Sequence, residues 1–152
     1  MTTDTLPTSQ HIRTKCHWTG AQDTVRLTYD DRFLRRKVLT TTAGAKLLVD
    51  LPQTTSLNDG DAIELDGGAL VEVIAAEEQL MEIKGADLVR LAWHIGNRHT
   101  PCQIEDGRLL IQHNHVMRDM LQRLGAQITD ITAPFTPEGG AYGHGRTHGH
   151  SH

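Results

Sequence analysis

Aromatic side chains make up only 4% of the 152 residues, and positive charge is not in excess: 15 Lys and Arg stand against 19 Asp and Glu, a formal net charge of -4. Nucleic-acid binding needs a basic footprint and usually stacking aromatics, so no nucleic-acid partner is expected. Cysteine is as sparse. Cys16 and Cys102 form no CxxC pair, which argues against a disulfide framework or a thiolate zinc site and leaves each as a small packed side chain. No run approaches the ~20 apolar residues of a membrane helix. The opening MTTDTLPTSQ has neither the basic start nor the apolar stretch of a signal peptide, so the expected location is the cytoplasm, away from membranes. HExxH, a glycine-rich phosphate loop and a Ser/His/Asp constellation are all missing, and no enzyme activity is expected.

What is present is a change of texture along the chain. From Asp23 to Ala75 short alternating segments (DTVRLTY, RKVLTTT, AKLLVDL, DAIELD, ALVEVIA) are separated by turn pairs such as Asp30-Asp31, Ala43-Gly44 and Gly67-Gly68. That rhythm predicts a small all-β domain over residues 1–75. Residues 1–20 are polar and carry no clear element, with His11 and His17 read as solvated. The basic run Arg32, Arg35, Arg36 and Lys37 reads as an exposed strand and turn.

Beyond residue 76 the pattern lengthens. QLMEIKG reads as a strand and ADLVRLAWHIGNR as a helix, because Leu88, Leu91, Ala92 and Ile95 recur at i, i+3, i+4 and i+7, with Gly96 and Asn97 as its stop. CQIED and RLLIQH make two strands about Gly107. Asn114 then caps a second helix with Val116, Met117, Met120, Leu121 and Leu124 as its buried face and Gly125 at its end, and QITDIT is the last strand. The expected class is α+β: the β domain, then a ferredoxin-like β-α-β-β-α-β domain over residues 76–135, then a flexible, disordered histidine-rich tail over 136–152.

The tail ends GHGRTHGHSH, with His144, His148, His150 and His152 set among glycine, serine and threonine. An engineered tag is usually one unbroken run, whereas these histidines are irregular and merge into TPEGGAYGHG. Histidine-rich tracts bind metal as a matter of composition. Three histidines stand where the second domain would present them. His99 follows the first helix in GNRHTP, near terminal carbonyls that favour a cation, and His113 and His115 flank the start of the second helix at i, i+2 spacing. His94 reads as structural. One imidazole holds a first-row metal weakly, so His99 needs partners. A two-fold dimer would duplicate it. The tail is the other source, with a typical reach of roughly 20 Å from Pro134 to His148.

The stretch LAWHIGNRHTPCQIEDGRLLIQHNHVMRDMLQRLGA, with its GNRH loop, its HVMRDML helix and the histidine-rich end, resembles the urease accessory protein E family, the nickel metallochaperones of urease assembly. The resemblance implies a homodimer through the ferredoxin-like domains, in which His99 of both subunits shares one Ni(II) ion and tail histidines from among 144, 148, 150 and 152 complete the site. His113 and His115 would form a peripheral site. The amino-terminal domain would be a peptide-binding or partner-binding module, and a GTPase accessory protein and apo-urease would be the partners. Zn(II) and Cu(II) suit the same imidazoles. The rival readings are a general Ni/Cu/Zn buffering or storage protein without a client, a metal-dependent hydrolase lacking a positioned base, and a docking adaptor whose histidines are incidental.

Overall fold

The structure, a computed structural model, describes residues 6–139, so His144, His148, His150 and His152 lie outside the described residues. It divides into two compact units, Met1–Ala76 and Glu77–His152. Mixed α+β composition arises because the first unit is built of strands and both helices fall in the second.

The first unit is one sheet of β1 (Thr8–Arg13), β2 (Asp23–Leu27), β3 (Phe33–Thr40), β4 (Lys46–Ser56), β5 (Ala62–Leu65) and β6 (Leu70–Ala75), in the order β2-β6-β5-β1-β4-β3. Alternation builds its core. Along β6 every second residue, Val71, Val73 and Ala75, is buried, and Val71 and Val73 share a core with Val25, Leu47, Val49, Leu51 and Ile63 from other strands of the sheet. β1 falls where the sequence reading saw no element. Its residues TSQHIR are too polar to announce a strand, yet it runs parallel to β4 on one side and antiparallel to β5 on the other, so pairing on both sides overrides weak propensity.

Two local readings need correction here. Arg32 is 2% exposed, unlike Arg35, Arg36 and Lys37 on β3. Its guanidinium donates from Nε to Leu57 O (3.3 Å) and from Nη1 to Leu27 O (2.9 Å), and it lies over the Tyr29 ring at 5.7 Å. A buried cation survives when carbonyls replace its water, and these carbonyls come from segments 25 residues apart and 5 residues apart from it. Cys16 is the second. It is exposed, with φ +73°, and is not packed into a core.

The second unit runs β7 (Glu77–Lys84), α1 (Leu88–Asn97), β8 (Gln103–Glu105), β9 (Arg108–Gln112), α2 (His115–Arg123) and β10 (Gln127–Pro134). This β-α-β-β-α-β order folds into a four-stranded sheet, β10-β7-β9-β8, in which every neighbouring pair is antiparallel. Leu91 and Ile95 of α1 and Met117 and Leu121 of α2 cover one face of the sheet, against Met81, Ile83, Leu109 and Ile111. Val116, expected on that buried face, is 60% exposed, because it sits in the first turn of α2, one residue before Met117 on the helical wheel.

Replacing Arg32 by Met should strand the carbonyls of Leu27 and Leu57, lowering stability by about 2–3 kcal/mol. Urea unfolding followed by far-UV circular dichroism measures this as a drop in the midpoint of the first unit's transition.

Candidate metal centre

Both helices of the second unit end in the same backbone motif, and the difference between the two ends singles out His99. At the end of α2, the N–H of Gly125 donates to Gln122 O (3.0 Å) and that of Ala126 to Leu121 O (3.0 Å), with Gly125 at φ +91°. At the end of α1, the N–H of His99 donates to Gly96 O (2.9 Å) and that of Thr100 to Ile95 O (3.3 Å), with His99 at φ +57°. These are the paired 5→2 and 6→1 bonds of a Schellman closure, in which a left-handed residue ties off the last carbonyls. Glycine takes that conformation freely. A residue with a Cβ is penalised there by roughly 1–2 kcal/mol, so the closure of α1 at His99 is strained where that of α2 at Gly125 is not. Gly96 and Asn97, read as the stop, are the last two residues of the helix itself, and the reversal comes at Arg98, His99 and Thr100.

The loop around His99 is held from both sides. Arg98 Nε donates to Met120 Sδ, and Thr100 Oγ1 approaches Met117 Sδ at 3.7 Å, so the neighbours of His99 lean on adjacent turns of α2. His99 itself is exposed. The carbonyl end of α1 adds a fixed negative partial charge there, which favours a bound cation. Among the described residues, no three His, Cys, Asp or Glu side chains gather where they could hold an ion, so the described neighbours of His99 do not make a complete ligand set.

His113 and His115 stand on either side of Asn114, whose side chain caps α2 by accepting from Val116 N (2.9 Å) and Met117 N (3.1 Å). Both histidines are exposed. His113 extends the β9 ladder, its N–H donating to Gln79 O (3.3 Å), and its Nε2 lies 3.9 Å from Asp130 Oδ1 on β10. That carboxylate is already paired with Arg118. His115 opens α2, where the positive end of the helix dipole opposes a cation. The electrostatics therefore favour position 99 over positions 113 and 115. His94 is half-buried and meets Trp93 edge-on, with ring centroids 5.0 Å apart.

Cys102, three residues beyond His99, is half-buried against the core of the second unit. Burial, with Glu138 nearby, pushes its thiol up to about 11. A thiol held protonated at neutral pH is a poor metal ligand. Two features escaped the sequence reading. Val89 (83% exposed) and Trp93 (62% exposed) form an apolar stripe one turn apart on the outer face of α1, detectable in principle because both fall outside the Leu88, Leu91, Ala92, Ile95 face. Gln103 also binds the C-terminal segment, a contact across 33 residues that no local pattern announces.

His99→Gly should be more stable than His99→Ala by about 1 kcal/mol, because only glycine relaxes the left-handed turn. Urea midpoints of the two variants test it. At pH 8 a thiol reagent should label the exposed Cys16 rapidly and Cys102 slowly, as measured by mass spectrometry of each cysteine peptide over time.

The chain matches the model of the UreE urease accessory protein N-terminal domain over residues 3–76 and that of the UreE urease accessory protein C-terminal domain over residues 78–152. It is 62% identical to the urease accessory protein UreE of Ruegeria pomeroyi over 147 residues, covering 97% of this chain and 99% of the relative. It is 57% identical to that of Cereibacter sphaeroides, covering 97% of this chain and 81% of the relative, and 54% identical to that of Rhodobacter capsulatus, covering 89% and 86%. With both halves of the sequence matched in order, the chain belongs to the UreE urease accessory protein family.

Proposed function

We propose that this protein is a cytoplasmic nickel metallochaperone that carries Ni(II) to apo-urease during assembly of the urease active site, with His99 as its principal ligand and the ion as cargo. The single observation that carries the reading is His99 in the left-handed position of the α1 closure, where α2 has glycine. Strain of this kind persists where a function needs the side chain in that place. A homodimer supplies the second ligand. Val89 and Trp93 lie exposed on the helix that ends in His99, and a two-fold axis through such a stripe duplicates the imidazole with no further residue. Histidines from among 144, 148, 150 and 152 complete the site, and His113 with His115 takes ions more weakly at the periphery. Zinc and copper compete for the same imidazoles.

Delivery rather than catalysis follows from the ligand chemistry. Imidazoles on an exposed turn and a terminal arm exchange readily with solvent and with other ligands. A structural site is closed by four fixed ligands, and a catalytic one aims a water beside a base. The first unit serves as the docking module for urease or its accessory proteins, with a GTPase accessory protein as direct partner. Its edge strand β3 presents Arg35, Arg36 and Lys37 to solvent, consistent with an acidic partner surface.

Calorimetric titration with nickel, combined with light scattering for oligomeric state, tests the proposal. His99→Ala should abolish the tightest site, and alanine at all four tail histidines should weaken it without unfolding the protein. Parent-like binding by both variants, or a strictly monomeric protein with nickel present, would reject the ligand assignment. Ligand imidazoles must be neutral, and histidines take up their proton near pH 6.5. Nickel should therefore be released between neutral pH and about pH 5, read by equilibrium dialysis; retention at pH 5 points to carboxylate or thiolate ligands.

A further inference from the structure

Strand β3, at the edge of the first sheet, carries three consecutive cations, and two of them are engaged. Arg36 Nε stands 3.9 Å from Asp50 Oδ1, and Lys37 Nζ donates to Asp31 Oδ1 at 3.2 Å. On β1 the charges are matched in the same way. Arg13 donates to both oxygens of Glu64 (Nε 3.0 Å, Nη2 3.3 Å), the carboxylate across the ladder from His11. Among the described residues, no hydrogen bond or ion pair engages the side chain of Arg35.

Arg35 borders a break in the sheet. The parallel ladder of β1 with β4 ends at Ser9 and Val49. Gln10 is then an extra residue between Ser9, paired with Leu65 of β5, and His11, paired with Glu64. On the other side Leu34 pairs with Thr55 and Arg36 with Asp50, so Arg35 alone stands opposite residues 51–54 of β4. Bulges re-aim the side chains beside them. These two border a cavity of about 320 Å3, lined by Gln10, His11, Arg35, Asp50, Leu51 and Pro52. The bulge of β1 is fixed from inside, because the buried Ser9 hydroxyl donates to His11 O (3.0 Å) and accepts from His11 N (3.4 Å).

We infer that this cavity anchors one glutamate side chain of an extended partner segment, with the Arg35 guanidinium as its counter-ion. The inference rests on the reading of the first unit as a docking module. Charge selects the ligand. Asp50 lines the same cavity, but Arg36 opposes it, so Arg35 is left as the unmatched positive charge. A carboxylate supplies one negative charge in the planar, two-oxygen shape that a guanidinium fork accepts. A phosphate carries about two and would set the surplus beside Asp50. The His11 ring adds an N–H able to donate to the same oxygens. Leu51 and Pro52 form an apolar wall for the methylenes of a glutamate stem, and Pro52 has no N–H with which to close the gap by pairing. The volume is at the small end for ligand pockets, which suits one side chain rather than a whole cofactor.

The experiment titrates the isotope-labelled full-length protein with a capped alanine-rich hexapeptide carrying one glutamate, and with its glutamine counterpart, following amide shifts by NMR. Saturable shifts should map to residues 9–12, 35 and 50–53. Affinity should fall about five-fold for the glutamine peptide, and about five-fold for the glutamate peptide in Arg35→Gln, the size of an exposed ion pair. Lys37→Gln, whose charge is engaged elsewhere, should bind like the parent. Equal binding of the two peptides overturns the inference, because the cavity would then take an apolar side chain. Absence of saturable shifts there overturns it too, as does a loss in Lys37→Gln as large as in Arg35→Gln. Hydrogen exchange of the full chain with apo-urease added separates this inference from the reading beneath it. Protection of residues 9–12 and 50–53 is expected. Protection elsewhere in the first unit overturns the cavity assignment and leaves the docking module intact, whereas protection confined to the second unit rejects the docking reading itself.

Discussion

A helix that stops must do something with its last carbonyls, and the second unit solves the problem twice in the same way. Each closure demands one residue with positive φ, and only one of the two uses glycine. The other turns on His99, and the placement of its imidazole depends on that choice. The left-handed turn brings the chain sharply off the helix axis, exposes the imidazole beside the negative end of the helix dipole, and sends the following residues into β8. A residue on an ordinary flexible loop would offer the same donor atom without the same placement. Here the hydrogen bonds of the closure and the leaning of Arg98 and Thr100 on Met120 and Met117 hold the turn.

The remaining parts of the second unit serve that turn. Leu91 and Ile95 anchor α1 to the sheet, so the position of its C-terminus follows from core packing. Met117 and Met120 of α2 supply soft, adaptable contacts for the loop. Half-burial of Cys102 keeps the one thiol near His99 protonated, which leaves imidazole as the donor chemistry of this corner.

Much of this was legible in the chain, and the rest was hidden for definite reasons. Helix α2 was readable at both ends because Asn114 and Gly125 are the residues that capping and closure prefer. The end of α1 at Gly96 and Asn97 was readable, but its left-handed position was not, because it falls on His99 and not on the glycine that such closures prefer. Period-two alternation exposed β4 to β6, but β1 was invisible: its strand state comes from partners 40 to 56 residues away and from no pattern of its own. Arg32 was read as solvated because a sequence does not show carbonyls, and its burial is sustained by those of Leu27 and Leu57. His99 was reachable through its GNRH setting. Gln103 was not, since its partner is the backbone of a segment 33 residues on.

The place of β1 in its sheet also bears on how the first unit comes into being. Strand order β2-β6-β5-β1-β4-β3 makes the earliest segment of the unit the seam between the β2-β6-β5 and β4-β3 halves. On a ribosome that segment emerges ahead of both its partners and must wait, unpaired, until residues 46–65 have followed it out. A polar strand tolerates the wait better than an apolar one, because TSQHIR offers a nascent neighbour little to stick to. Its low hydrophobicity, which hides it from pattern reading, thus protects the young polypeptide from premature association.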